Sequence, residues 1–379
     1  MATFFFTESS NNIGGQELQL LQQASSLQAQ GHQTFVFCRP ASRIRQEAEQ
    51  AGLSVVTVGF RNALHVPSVF QIVRMLRKYK PQAVICHSGH DSNVSALSLY
   101  LSSALGLVKP RPRLIRMRTY QPGAARPFLY NKVFDHTLTP SLALRAQLLS
   151  QSAIEADKIK VLYPGFNFDQ IRADSKLPIH STLAERLVYA NGRQMIVHAA
   201  MLRGEKGHGF MLEVVASLIT RYPGLLYVIA GEGKLRASLK QQVREKGLDD
   251  HVFFAGMVKP VAPLLALADV VVMPSSYEPL GMSQIEALSL AVPVVVSDTG
   301  GLPETVRHME TGQVCPPPGH SDALSKWVHA LDLYLADPQL ARQHAIQGQK
   351  EVKRQFDMAT QTASLLEYTK PQRSQDFSS

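Results

Sequence analysis

Short apolar runs alternate with amphipathic segments along the first half of the chain. The runs "TFFFT" (residues 3–7), "QTFVFC" (33–38) and "QAVICH" (82–87) have the length of buried strands. Between and after them, residues 17–30 and 93–105 have the spacing of helices that are buried along one face. Strands that alternate with helices in this way predict a parallel sheet with helices on both of its faces.

A second series of strand-like runs and helical segments follows a turn-rich segment, "YPGFNFDQIRADSKLP". We predict a hinge within this segment, at residues 165–177. The strand-like runs of the second series are residues 194–200, 225–231, 252–256, 270–274 and 292–297. The sequence therefore predicts an α/β fold of two Rossmann-like, doubly wound domains, at residues 1–170 and 176–350. Residues 351–369 are predicted to form a C-terminal helix that could pack back on the first domain, and the polar residues 370–379 to be disordered.

Length and composition agree with a globular protein of two domains. The chain has 379 residues, 45% of them hydrophobic and 18% charged. No apolar run approaches the ~18 residues of a membrane span, and the N-terminus has no basic segment typical of a signal peptide. The three cysteines lie far apart and indicate neither a disulfide framework nor a zinc site. We therefore expect a cytoplasmic protein.

The positive charge of the protein is concentrated in its first half. Residues 1–175 hold 19 Lys and Arg against 10 Asp and Glu, whereas residues 176–379 hold 20 of each kind. The formal net charge of +9 therefore belongs to the first half, which indicates an anionic partner such as a membrane surface. A solvated basic surface that only maintains solubility explains the charge equally well.

Two carboxylates stand out in the segment "PSSYEPLGMSQIEALSLAVPVVVSDTGG", residues 274–301. Glu278 follows a predicted buried strand, and a helix is predicted to begin near residues 279–281, with Glu286 in its second turn. The free amides of Leu280, Gly281 and Met282 would then face a phosphate between the two carboxylates. Such a site suits an extended ligand with hydroxyl groups at both ends, as in a nucleoside diphosphate sugar.

Two other interpretations of this pair remain open. Glu278 could be a helix-terminal residue favoured by the helix dipole, with Glu286 on the surface. A hydrolytic pair is less favoured. Glycosidase carboxyl groups lie about 5–9.5 Å apart with the scissile bond between them, whereas eight helical residues can span up to roughly 12 Å.

The order of several motifs resembles that of the family 4 retaining glycosyltransferases. They include "EPLGMSQIEA", "AVPVVVSDTGGLPE", "RGEKGH", "IAGEG" and the early "IGGQELQLLQQ", and the resemblance extends from about residue 10 to residue 320. The resemblance implies the GT-B fold, in which two Rossmann-like domains face each other across a cleft. It also implies transfer of a sugar from a nucleotide sugar with retention of configuration.

The same resemblance implies roles for individual residues. Glu278 would bind the hydroxyls of the donor sugar and stabilise charge at its anomeric carbon, and Glu286 would bind the ribose. Lys206 would neutralise the leaving diphosphate. The other implied donor-site residues are Gly14 and Gly15 in the first loop, His87 near the donor sugar as a catalytic candidate, and Gly231 and Val258 in the loops that hold the base.

The sequence departs from the family pattern at several positions. Ala200 and Met201 stand where the family has Gly-Arg, so Arg203 is our candidate for the missing guanidinium. Asn167 occupies a position that is usually acidic. Arg118 occupies that of a histidine, which suggests that it faces an acidic or phosphorylated acceptor.

Together these features predict a metal-independent glycosyltransferase of lipopolysaccharide or other cell-envelope glycan biosynthesis. No D-x-D motif, which would indicate a metal-bound donor, occurs in the chain. We expect a glycan or lipid-linked glycan as acceptor, peripheral association with the cytoplasmic face of an anionic inner membrane, and no nucleic acid partner. A nucleotide-sugar epimerase or phosphorylase of the same fold, and a non-catalytic glycan-binding protein, are the alternatives.

Overall fold

The structure is a computed structural model that describes residues 1–62, 65–119, 126–150, 153–179, 184–185 and 194–370. The chain divides into two compact units: Met1–Phe166 together with the chain from Phe356 onward, and Asn167–Gln355. The first division falls within the segment that we predicted as a hinge. The tail predicted to be disordered lies, beyond Lys370, outside the described residues.

The described part of the first unit contains one sheet of parallel strands. They are β1 (Thr3–Glu8), β2 (Gln33–Cys38), β3 (Ser54–Thr57), β4 (Ala83–Cys86), β5 (Arg113–Met117), β6 (His136–Thr139) and β7 (Ile159–Val161). Their order is β3-β2-β1-β4-β5-β6-β7. The connections reverse direction between β1 and β4, and ligands of such sheets bind at that point, outside the carboxyl ends of the strands.

Helices cover both faces of this sheet, which explains the run of three phenylalanines in β1. The helices are α1 (Gly15–Ala29), α2 (Arg43–Gln50), α3 (Val66–Tyr79), α4 (Gly89–Ala104), a π-helix (Leu129–Val133) and α5 (Leu142–Ser150). Phe4 and Phe6 belong to the core on one face, and Phe5 belongs to the core on the other. A strand that is buried on both faces can therefore be apolar at every position.

The second unit contains a second parallel sheet. Its strands are β8 (Met195–Ala199), β9 (Leu226–Ala230), β10 (Val252–Gly256), β11 (Val270–Met273), β12 (Val294–Ser297) and β13 (Gln313–Cys315), in the order β10-β9-β8-β11-β12-β13. Here the connections reverse direction between β8 and β11. The loops after these two strands therefore lie side by side at the binding edge of the sheet.

The helices of the second unit include one that the sequence analysis did not predict. The helices in the described part of this unit are α6 (Phe168–Asp174), α7 (His208–Leu218), α8 (Arg236–Glu245), α9 (Ala262–Ala266), α10 (Ser283–Ser289), α11 (Ala323–Ala336) and α12 (Pro338–Gln355). Helix α6 lies in the segment that we interpreted as a turn-rich link, where Asn167 caps it by accepting a hydrogen bond from the amide of Gln170.

The last helix, α13 (Met358–Thr369), belongs to the first unit. The amide of Phe166 donates to the carbonyl of Phe356 at 2.8 Å, and the hydroxyls of Ser26 and Thr362 are 2.8 Å apart. Leu365 of α13 is fully buried in the core of that unit. Within the described ranges, no helix has both the length and the apolarity that a membrane span needs.

Candidate functional site

An ion pair lies at the binding edge of the second sheet. Lys206, in the loop after β8, donates from Nζ to Oε2 of Glu278, in the loop after β11, at 2.5 Å. The hydroxyl of Ser275 donates to the same oxygen at 3.3 Å. Both ion-pair side chains are mostly buried, so their charges interact in surroundings less polar than water. The structure therefore brings together two of the predicted site residues.

Close backbone contacts hold these loops together. Gly207 has a φ of +74°, and a Cβ there would lie 1.9 Å from the carbonyl oxygen of Pro274. Gly300 has a φ of +53°, and its Cβ would lie 1.8 Å from the carbonyl oxygen of Glu278. Only glycine fits a left-handed position with the backbone so near. The positions of Lys206 and Glu278 are thus fixed by backbone packing as well as by their ion pair.

The helix after Glu278 begins later than we predicted. Helix α10 starts at Ser283 with Met282 as its N-cap, because Gly281 has a left-handed φ of +82°. Glu286 therefore lies in the first helical turn, and its predicted place in the second turn was wrong. Among the described residues, no acceptor meets the amides of Leu280, Gly281 and Met282. These amides can still donate to a ligand.

Glu286 is a partly buried carboxylate without a hydrogen-bond partner in the described part of the chain. Helix α6 packs against α10 and brings Asp174 near it. Burial, and to a smaller extent the charge of Asp174, raises the pKa of Glu286 to about 7. An unpaired carboxylate in such a place is unfavourable without a ligand. Asp174 was not predicted, because nothing in its local sequence indicates contact with a residue so distant along the chain.

Two buried histidines lie beneath the Lys206 loop. His198 and His208 stack with their ring centroids 3.9 Å apart, and Nδ1 of His198 is 2.8 Å from the hydroxyl of Tyr227. Burial is the main cause that lowers the pKa of both histidines, that of His208 to about 4. Both are neutral at pH 7 and add no charge near Lys206. A histidine within the apolar strand "QMIVHAA" was the available sequence signal, and we did not use it.

The other predicted donor residues of this unit lie in neighbouring loops. Arg203 is largely exposed, and its guanidinium is 4.0 Å from a carboxylate oxygen of Glu205. The amide of Lys206 donates to the carbonyl of Arg203 at 3.1 Å, but among the described residues the guanidinium forms no ion pair with Glu278. At Gly231 a Cβ would lie 2.0 Å from the carbonyl oxygen of Ala200, so the loops after β8 and β9 touch there. Val258 follows β10 and lines a groove of roughly 760 Å³.

The predicted site residues of the first unit follow the carboxyl ends of three strands. Gly14 and Gly15 follow β1 and begin helix α1. The amide of Gly14 donates to Oε2 of Glu17 at 2.8 Å, and its φ of −147° is an ordinary extended value. Gly14 therefore needs no special glycine conformation here, and its amide is already paired. Arg118 follows β5, and its amide donates to the carbonyl of Leu138 at 2.8 Å.

His87 follows β4 and is almost fully buried. Its Nδ1 is 3.3 Å from the carbonyl oxygen of Thr7, and within the described residues its Nε2 has no partner. Burial lowers the pKa of His87 to about 4, so it is neutral at pH 7. Nearby, Asp91 of α4 accepts hydrogen bonds from the hydroxyls of Thr7 and Ser9, which join the end of β1 to the start of α4.

The fold and both halves of the chain are similar to those of known proteins. Anabaena HepE, solved in complex with UDP and glucose, has the same fold, with a TM-score of 0.81 at 19% identity over 97% of this chain and 99% of that one. The fold is the GT-B fold of glycosyltransferases, as predicted. Residues 182–351 match the family model described as "Glycosyl transferases group 1", and residues 13–170 the model "Glycosyltransferase Family 4". Each model matches just under half of the chain, so the second unit is similar to the group 1 glycosyltransferases and the first to glycosyltransferase family 4.

Related glycosyltransferase sequences align with only part of this chain. A glycosyltransferase of Methanocaldococcus jannaschii is 32% identical over 181 residues, which are 46% of this chain and 45% of the relative. The alpha-D-kanosaminyltransferase of Streptomyces kanamyceticus is 30% identical over 158 residues, 40% of this chain and 39% of the relative. The matches span less than half of the length of these relatives.

Proposed function

We propose that this protein transfers a sugar from a nucleoside diphosphate sugar to a glycan acceptor, with retention of configuration at the anomeric carbon. The observation that carries the proposal is the joint position of Lys206, Glu278 and Glu286 at the switch point of the second sheet. Lys206 neutralises the departing diphosphate, Glu278 binds the donor sugar, and Glu286 binds the ribose. The UDP complex of the structural neighbour supports a nucleotide as donor.

The proposed reaction needs no metal ion, because Lys206 and the backbone amides after Glu278 supply the positive potential that the diphosphate requires. The acceptor hydroxyl attacks the face from which the diphosphate leaves, and a diphosphate oxygen takes its proton. The new glycosidic bond therefore forms as the bond to the diphosphate breaks. Transfer that persists in a chelator would support this scheme, and its loss in the chelator would contradict it.

A thermal-shift panel of UDP-, GDP- and ADP-sugars tests which class of donor the protein binds. A ligand at about 100 times its dissociation constant stabilises the native state by roughly 2.7 kcal/mol, which distinguishes a true donor from the others. We expect a UDP-sugar to give the largest shift. If none of the three classes changes the melting temperature, the protein does not bind a donor and the proposal is wrong.

Transfer itself is tested with Glu278→Gln. The amide cannot stabilise positive charge at the anomeric carbon, so we expect loss of transfer with nucleotide binding retained. Glu245→Gln, on the exposed side of α8, is the matched control and should transfer normally. Mass analysis of the products separates transfer from epimerisation and phosphorolysis, because only transfer lengthens the acceptor. A fully active Glu278→Gln protein would exclude the proposed role.

The acceptor that we propose is a lipid-linked or phosphorylated envelope glycan, such as a lipopolysaccharide intermediate, at an anionic membrane surface. The excess positive charge of the first half supports it. Vesicle binding that is indifferent to anionic lipid and to salt would contradict this part of the proposal.

A further inference from the structure

A groove of roughly 680 Å³ lies in the first unit between the C-terminal half of α4 and the π-helix. Its wall includes the apolar side chains Leu97, Tyr100, Phe128 and Phe134. The volume falls in the usual range of small-molecule sites, about 300–1,000 Å³. The groove is therefore large enough to hold an extended apolar ligand.

Large apolar side chains at the groove are exposed to water. Tyr100 is 71% exposed and Phe128 is 68% exposed, and Leu101 and Leu105 continue an exposed apolar strip along α4. Residues 92–108, which include most of that helix, contain no charged residue. A contiguous apolar surface of this kind is typical of a site that contacts another molecule or a membrane.

Cations line the same groove. Arg111, Lys132 and Lys158 are lining residues, with Asp135 as the only carboxylate among the lining residues that the structure describes. Asp135 already pairs with Arg111 at 2.9 Å, and Lys132 lies 3.8 Å from a carboxylate oxygen of Glu155 in a largely exposed pair. No carboxylate partner of Lys158 is found in the described part of the chain. An apolar wall with excess positive charge is complementary to a ligand that has a hydrocarbon chain and an anionic head.

The groove lies at the opposite edge of the sheet from the candidate site residues. Arg111, Asp135 and Lys158 precede β5, β6 and β7, whereas His87 and Arg118 follow β4 and β5. A five-residue strand spans roughly 16 Å at ~3.3 Å per residue. The groove is therefore a site separate from the loops at the carboxyl ends of these strands.

We propose that this groove binds one acyl chain of an anionic phospholipid, with the lipid phosphate against Lys158 and Lys132, and so anchors the first unit to an anionic membrane. Tyr100 and Phe128 lie at the interface, where aromatic side chains are favourable. The inference depends on the proposed function in one respect only, which is that the membrane would present the proposed acceptor. It concerns the binding of a bilayer lipid and leaves the donor site unchanged.

The test compares three variants of the full chain. Tyr100→Ser with Phe128→Ser removes the exposed aromatic side chains, and Lys132→Glu with Lys158→Glu reverses two charges of the groove. Phe70→Ser is the matched control, because Phe70 is 71% exposed on α3 but does not line the groove. Each variant is mixed with vesicles of phosphatidylcholine, with and without phosphatidylglycerol, at low and high salt.

We expect the aromatic variant to lose at least about tenfold in affinity for anionic vesicles at both salt concentrations, since apolar burial is not screened. Each charge reversal should cost at least about fivefold at low salt and much less at high salt. The Phe70→Ser protein should bind as the unmodified protein does. Equal losses in the Phe70→Ser protein and the aromatic variant, or no loss in the latter, would overturn the proposal.

A phospholipid with a photoreactive acyl chain gives a direct second measurement. It should label peptides that contain residues 96–100 or 128–134, and labelling confined to other peptides would contradict the assignment. Thermal shifts with nucleotide sugars are measured on the same variants and should be unchanged. If the unmodified protein bound no nucleotide sugar but showed the expected lipid labelling, the proposed function would fail and the groove assignment would stand.

Discussion

At the scale of single residues, Glu286 has the surroundings that most clearly favour a bound ligand over the ligand-free state. Its pKa is raised to about 7 by burial and, secondarily, by Asp174. The carboxylate form therefore costs stability that the protonated form does not, and native stability falls as pH rises from about 4.5 through 7. Hydroxyl groups that donate to the carboxylate would reverse this preference by stabilising the ionised form.

This difference predicts a pH dependence of donor binding. If only ionised Glu286 accepts the ribose hydroxyls, the dissociation constant of a nucleotide sugar should rise roughly tenfold between pH 8 and pH 6, as measured by calorimetry. Glu286→Gln should bind more weakly at pH 8 but show little change over the same range. At pH 8 it should also raise the melting temperature of the ligand-free protein, because an unpaired charge is removed. An unchanged slope in Glu286→Gln would show that another group titrates. His87 and His208 are not candidates, since burial holds the pKa of each at about 4.

Much of the candidate site could be predicted from sequence, but only where local pattern determines it. Glu278 follows a strand whose apolar run is unmistakable, and Lys206 lies in a recognisable motif. Asp174 and the His198–His208 stack were missed because their importance arises from contacts between residues far apart in the chain. The environment of a side chain depends on packing that no local pattern records.

At the scale of elements, the strands were easier to predict than the start of α10. Pro279 suits the first turn of a helix and favours a helix from that point. The left-handed Gly281, and the hydrogen bond from Gln284 to the carbonyl of Leu280 at 2.9 Å, delay the helix until Ser283. The conformation of this loop therefore lies beyond what helix propensity alone determines.

Gly207 tests whether backbone packing positions the Lys206 loop. Gly207→Ala introduces a left-handed alanine and a contact with Pro274, so we expect it to lower the free energy of unfolding by about 2 kcal/mol or more and to abolish donor binding. Gly204→Ala, in the same loop, is the control, because no atom lies within 4 Å of its Cβ and its φ is not left-handed. Urea unfolding and thermal shift measure both effects. A Gly207→Ala protein as stable as Gly204→Ala would contradict the packing argument.

At the scale of the whole molecule, the two-domain GT-B architecture was predicted correctly. The alternation of strands and helices and the three-phenylalanine strand carried that prediction. The sequence offered little evidence for the short strands β7 and β13, each of which has only three residues. Their place depends on the neighbouring strand of the sheet rather than on their own composition.

The last helix leads to a prediction about how each unit is stabilised. Leu365 in α13 is buried in the first unit and Leu331 in α11 is buried in the second, and both are fully inaccessible. Leu365→Ala should cost about 2–5 kcal/mol and lower amide protection in β1 and β4, and Leu331→Ala should do so in β8 and β9. Hydrogen exchange followed by mass spectrometry measures the two patterns. Loss of protection in the second unit alone on Leu365→Ala would disprove the assignment of α13.

The Lys206–Glu278 pair has a consequence for selectivity among the many anions of a cell. Since the ammonium already has a carboxylate partner at 2.5 Å, inorganic phosphate or a free nucleotide must compete with that partner for it. A complete donor brings a saccharide that can engage the carboxylate at the same moment. Such a site would resist inhibition by abundant small metabolites. Only a molecule with both a diphosphate and a saccharide can interact with Lys206 and with Glu278 at the same time.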